Sequence, residues 1–246
     1  MDARALGVSL PIKTIFEAPT IESLARRVDQ AMAATPRKPA TSVLGLADAR
    51  PTDSGWPTLS IAQDQMLRIE QNLPGLPLFN LPFAFRLQGP LDASALARAI
   101  DDVVGRHESL RTAFGWNGEE PVRHVAAPGT LGRVLTIETI GDGHPHNNKR
   151  RKALELRKID LLIQHEAYVP IDPTRGPLLR ARLLRLHDDD HVLLLTLHHA
   201  VVDGWSIGVL FEEVSSRYAA LAGYPSVPLP KPPPAFSDVA RWQRWW

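Results

Sequence analysis

The sequence contains no cysteine. Disulfide staples, thiolate metal sites and cysteine nucleophiles are therefore excluded. It also carries almost no net charge: 28 Lys and Arg against 27 Asp and Glu leave +1. No global field draws such a chain to nucleic acid or to an anionic membrane surface. No apolar run approaches the ~20 residues needed to span a bilayer, and Met1-Asp2-Ala3-Arg4 lacks the apolar stretch of a secretory leader. These absences set the expectation of a cytoplasmic protein with neither nucleic-acid nor membrane partners.

What is present suits a folded core: 44% of the 246 residues are hydrophobic and 22% charged, enough for one large domain or two small ones. The prolines are unevenly spread. Residues 35–57 hold Pro36, Pro39, Pro51 and Pro57 among small and polar residues, with no apolar period, and read as a semi-stiff linker. Before the linker, Thr20 can cap a helix that carries Ile21, Leu24, Ala25 and Val28. Thirty residues make a poor independent core, so this piece reads as part of something larger.

After the linker the pattern turns to mixed α and β. Ser60 and Gln63 form a capping-box signature for a helix through Gln71. Phe83, Phe85 and Leu87 alternate with Ala84, Arg86 and Gln88, which predicts a strand with one apolar face. Asp92 caps a helix through Leu96, Ile100, Val103 and Val104. Residues 110–116 and 121–125 are predicted as strands around a turn at Asn117-Gly118, and 149–168 as a helix after a polar loop from Gly141 to Asn148. The basic run Lys149-Arg150-Arg151-Lys152 lacks interleaved aromatics and reads as a solvated helix start.

Residues 178–186 and 191–197 are two strands with His187-Asp188-Asp189-Asp190 as the turn, so they should pair antiparallel. The second is almost wholly apolar and is expected to be central. It ends at His198-His199, and a helix from about Trp205 to Leu221 follows, with Ile207, Leu210, Phe211, Val214 and Tyr218 on one stripe. Chemistry is most plausible at this strand–loop–helix joint. Adjacent histidines on an extended chain point to opposite sides and do not chelate one metal together. His199 and Asp203 lack a third ligand at useful spacing, so no metal is expected. Ser206 follows the loop outside a nucleophile-elbow context, which makes a serine–histidine–aspartate triad a weak reading. What remains is a histidine acting directly on a nucleophile brought by the substrate, beside the bland alternative of a hydrogen-bonded core histidine at a strand end.

The residues also resemble a known family. Leu197-His198-His199-Ala200-Val201-Val202-Asp203-Gly204-Trp205-Ser206 resembles the HHxxxDG signature of the condensation domains of nonribosomal peptide synthetases. Residues 106–114, Arg-His-Glu-Ser-Leu-Arg-Thr-Ala-Phe, match that family's RHExLRTxF motif. Leu59-Ser60-Ile61-Ala62-Gln63 resembles its opening SxAQ motif, although Asp64-Gln65-Met66 departs from the arginine-containing continuation. Phe236-Ser237-Asp238-Val239-Ala240-Arg241-Trp242-Gln243 is similar to its fourth motif. The first thirty residues, with Ile15-Phe16-Glu17-Ala18-Pro19-Thr20, resemble the end of a peptidyl carrier domain.

The resemblance implies an α/β sandwich: a lobe like a chloramphenicol acetyltransferase subunit, with a mixed, largely antiparallel sheet flanked by helices, plus a short helical carrier remnant. The division it implies is 1–32 for the carrier tail, 33–57 for the linker and 58–246 for a first lobe whose second lobe is missing. It implies amide formation between thioester donor and amine acceptor, each on a phosphopantetheine arm, with no directly bound cofactor. Donor and acceptor carrier domains and an adenylation domain are the implied partners. His199, with His198, Asp203 and Gly204, is the implied catalytic set, and Gly204, Trp205 and Ser206 lie along the pantetheine arm. Asp203 is expected to pair with Arg106 or Arg111 of the second motif, with Arg180 and Arg182 as competing partners by strand geometry. Two rival readings stand beside this: a coenzyme A-dependent small-molecule acyltransferase using HxxxD, and an inactive fragment or interaction remnant.

Overall fold

The structure is a computed structural model and describes residues 14, 18, 21–34, 59–143, 149–232 and 234–245. The chain divides into two compact units, residues 1–48 and 49–246. In the first, helix α1 (Ile21–Ala34) follows a turn in which Ala18 N–H donates to the Thr14 carbonyl at 2.9 Å. Thr20, the predicted cap, and the predicted linker at 35–57 lie outside the described residues.

The second unit opens with α2 (Ile61–Asn72). Both halves of its capping box form: the Ser60 side chain accepts from Gln63 N–H, and the Gln63 side chain accepts from Ser60 N–H. Strand β1 (Asn80–Gln88) follows, then α3 (Ala93–Arg106), capped by Asp92 through the amides of Ser94 and Ala95. A single 3-10 turn, Ser109–Arg111, leads into the hairpin β2 (Thr112–Asn117) and β3 (Glu120–Val125). The turn takes residues predicted as strand, because Leu110 is drawn into the core while the chain reverses out of α3. Gly118 sits at φ +64°, the left-handed conformation that the Asn-Gly turn requires.

The remaining elements are β4 (Leu135–Gly143), α4 (Lys149–Tyr168), β5 (Leu179–His187), β6 (Asp190–His198), α5 (Gly204–Leu221) and α6 (Phe236–Trp245). Four strands make one sheet in the order β1-β6-β5-β4; β6 is antiparallel to both neighbours, and β4 runs parallel to β5. The mixed, largely antiparallel sheet therefore stands. Strand β4 is absent from the sequence-based expectation, because its sequence alternates weakly and its pairing partner is distant in the chain. Its last three residues fall in the segment expected to be a loop.

The core has two layers, one on each face of the sheet. Leu179, Ala181, Leu183, Leu193, Leu195 and Leu197 pack against the apolar faces of α3 and α5. Leu184, Leu186, Val192 and Leu194 pack against α4 through Ile159, Leu162 and Ile163. Strand β6 thus contributes leucines to both layers. Each fully buried one stabilises by about 1.5–3 kcal/mol, which makes the strand that ends in His198 among the most firmly held in the unit.

Candidate active site

Two backbone bonds fix the end of β6. His198 N–H donates to the Leu178 carbonyl at 3.0 Å on one side, and His199 N–H donates to the Phe79 carbonyl at 2.8 Å on the other. The chain then turns, with Val201 N–H on the His198 carbonyl at 3.1 Å. An inner strand gripped from both sides gives the two imidazoles defined and opposite directions.

His198 is fully buried. Its Nδ1 accepts from Ala200 N–H at 3.1 Å, so that nitrogen carries no proton. The ring proton is therefore on Nε2, which donates to Glu70 Oε1 at 2.9 Å. His199 is arranged the other way round. Its Nδ1 lies 2.8 Å from the Val202 carbonyl, which can only accept. Nδ1 holds the proton, and Nε2 of the neutral ring is left as an acceptor. His199 lines a cleft of about 240 Å³ with Gln63 and Met66 of α2, Ser109, Ser206 and Phe236.

The pairing expected of Asp203 is replaced. Asp203 is the exposed N-cap of α5: its Oδ1 accepts from Ser206 N–H at 2.8 Å and Ser206 Oγ–H at 2.6 Å. These Ser206 bonds hold its carboxyl below the usual carboxylate range. Among the described residues it forms no ion pair with Arg106 or Arg111. Arg106 instead lies 3.1 Å from the buried Glu213 of α5, and its guanidinium also donates to the Pro230 carbonyl. Arg111 donates to the Ala126 carbonyl at the end of the hairpin. Arg180 and Arg182 both bind Glu166 of α4, and Arg180 also donates to the Glu166 and Val169 carbonyls at that helix's C-terminus. Both bonds fall on Oδ1, and a capping carboxylate at the surface needs no buried arginine.

The second motif acts as a hub. His107 Nε2 lies 2.7 Å from Glu213, so both Arg106 and His107 tie the end of α3 to α5. Glu108 accepts from Arg123, from Ser237 N–H and from Ser237 Oγ–H, which couples it to the start of α6. The first and fourth motifs touch as well, through Ile61 N–H on Gln243 Oε1 at 3.1 Å. Gln63 donates from Nε2 to the Ala200 carbonyl at 2.9 Å, linking the first motif to the histidine turn. All four motifs meet around one cleft.

Sequence reasoning misses the second use of Gln63 and the parts played by Glu70, Ser109 and Glu213. The Ser-x-x-Gln cap gives no sign that its amide reaches residue 200, and Glu70 and Glu213 fall among ordinary helix-surface charges. It also passes over the spacing Gly204-Trp205-Ser206-Ile207-Gly208, which spells Gly-x-Ser-x-Gly. The structure gives that serine no elbow: Ser206 lies in the first turn of a helix, its hydroxyl on Asp203. Trp205 is 86% exposed. A Cβ added to Gly204 would meet nothing within 4 Å, so packing does not demand glycine there. Among the described residues no cluster of three or more His, Asp or Glu could hold a metal ion, and no helix is long and apolar enough to cross a membrane.

The family model for the condensation domain matches residues 55–245. The chain belongs to the condensation domain family. Malpibaldin synthetase of Mortierella alpina is 33% identical over 250 residues, covering 98% of this condensation domain chain and 4% of that protein. The X-domain in the complex of X-domain and OxyB from teicoplanin biosynthesis superposes with a TM-score of 0.64 at 25% identity, covering 80% of this chain and 39% of that one. The first condensation domain of the CDA synthetase, at 22% identity and a TM-score of 0.56 over 71% of this chain and 43% of that one, shares the fold. The chain thus spans a small share of its curated relative and about two-fifths of the solved chains.

Proposed function

We propose that this chain supplies the histidine wall of a site that joins a carrier-tethered acyl thioester to a carrier-tethered amine in nonribosomal peptide synthesis. The observation that carries this reading is the His199–Val202 bond, which leaves Nε2 of a cleft-lining imidazole as an acceptor. In the proposed step the amine nitrogen attacks the thioester carbonyl, the C–N bond forms and the C–S bond breaks. His199 Nε2 accepts the amine proton and returns it to the departing thiolate. A free α-amine has a pKa of about 7.7–8.0, so removing its proton is a small part of the barrier. Orientation of two tethered reactants supplies more, with a ceiling of roughly 7–11 kcal/mol for well-aligned pairs.

In this reading Asp203 holds the start of α5, and Gly204, Trp205 and Ser206 border the path of a phosphopantetheine arm. The open space at Gly204 supports that path. Residues 1–32 are the end of a carrier domain, 33–57 a linker and 58–246 a first lobe. Donor and acceptor carriers and an adenylation domain are the partners, in the cytoplasm. The test is His199→Ala in the synthetase that carries this chain, incubated with loaded donor and acceptor carriers. Loss of amide product by mass spectrometry is expected with the folding transition unchanged. Undiminished product refutes the assignment, and turnover of coenzyme A thioesters in place of carrier-bound ones would favour the small-molecule acyltransferase.

A further inference from the structure

We infer that Glu70 is a positioning residue for this reaction, acting through His198 and Ala200; the inference rests on the role proposed for His199. Gln63 and Glu70 are seven residues apart on α2, two turns, and so share a face. Gln63 Nε2–H donates to the carbonyl of Ala200. Glu70 receives His198 Nε2–H, which leaves His198 Nδ1 free to accept from the amide of Ala200. One helix therefore grips both peptide groups of the residue that follows His199, one directly and one through an imidazole.

The carboxylate is asymmetric in its use. Its side chain is only 13% exposed, Oε1 serves His198, and Oε2 is buried without a hydrogen-bond partner. An orphaned buried oxygen costs stability, while the other oxygen satisfies the ring N–H of a fully buried histidine. What Glu70 provides is a tautomer. An acceptor at Nε2 keeps the ring proton there. Without it the proton can move to Nδ1, which then confronts Ala200 N–H donor to donor. The turn loses one of its two holds on residue 200, keeping only the Gln63 bond, and His199 shifts with it. A misplacement of about 1 Å can cost on the order of a hundredfold in rate.

The test compares Glu70→Gln and Glu70→Leu in the synthetase that carries this chain, with His199→Ala alongside. Gln keeps an oxygen for His198 Nε2–H, whereas Leu keeps the bulk and removes the acceptor. For Glu70→Leu, kcat for amide formation should fall on the order of a hundredfold with KM for the loaded carriers unchanged, and Glu70→Gln should retain most of the rate. Nitrogen-15 spectra of histidine-labelled chain should show the Nε2–H form of His198 in wild type and in Glu70→Gln, and its loss in Glu70→Leu. An unchanged kcat in Glu70→Leu, or an equal loss in the Gln variant, overturns the inference. If Glu70→Leu does not fold, Glu70→Asp takes its place: it ends one methylene short of His198, the same fall in kcat is expected, and full activity overturns the inference. An active His199→Ala defeats the proposed function itself. A dead His199→Ala beside a fully active Glu70→Leu, or Glu70→Asp in its place, defeats this inference alone.

Discussion

Arg106 of the second motif lies 3.1 Å from Glu213 of α5, and both side chains are largely buried. The motif arginine is therefore spent on the body of the helix whose first turn carries Asp203, rather than on Asp203. His107 binds the same carboxylate. Removing one member of such a cluster leaves buried charge uncompensated, which typically costs about 3–5 kcal/mol.

Glu213→Ala should accordingly lower the unfolding free energy by roughly that amount, read from urea denaturation. Were Asp203 the arginine's partner, as its motif suggests, the large loss would fall there instead. A Glu213→Ala variant as stable as wild type would show that the cluster contributes little.

Asp203 should behave as a cap. Asp203→Ala is expected to cost about 1 kcal/mol, and Asp203→Asn, also a good cap, much less. Ser206 holds the Asp203 carboxyl below its ordinary range. Its charge-dependent stabilisation is thus fully present above the unfolded value of about 3.9 and is lost as pH falls through the lower folded value. The gap between wild type and Asp203→Asn should narrow on acidification below that value, measured as urea midpoints in a pH series. Solvent screening at this exposed site keeps the gap small.

Gly204→Ala separates packing from passage. The added Cβ meets no atom within 4 Å, and Gly204 is the first residue of α5, where alanine loses less conformational freedom on folding than glycine. The variant should fold at least as stably as wild type. If a pantetheine arm passes close to this backbone, amide formation by the same variant should fall about tenfold or more, as for a lost close contact of about 1.4 kcal/mol. Full activity with raised stability would place the arm elsewhere.

Much of the fold can be read from local pattern. Leu193, Leu194 and Leu195 announce a strand buried on both faces, Ser60 and Gln63 announce a cap, and Asn117-Gly118 announces a hairpin; each of these signals acts within a few residues of itself. Strand β4 escapes because its pairing with β5 spans about 45 residues of chain, and nothing in its own alternation declares a parallel neighbour.

That His198 and His199 end a buried strand, that they diverge, and that a helix begins just beyond them is written in the local chain. Those facts follow from strand period, apolarity and capping chemistry. Which nitrogen of each ring carries the proton was settled by tertiary contact, because Val202, Ala200 and Glu70 set the two tautomers through bonds of very different sequence range. The tertiary structure also decided that Arg106 serves Glu213 and that Asp203 serves Ser206. A charge takes the partner that folding brings within about 3 Å with its desolvation satisfied, and spacing along the chain does not encode that distance.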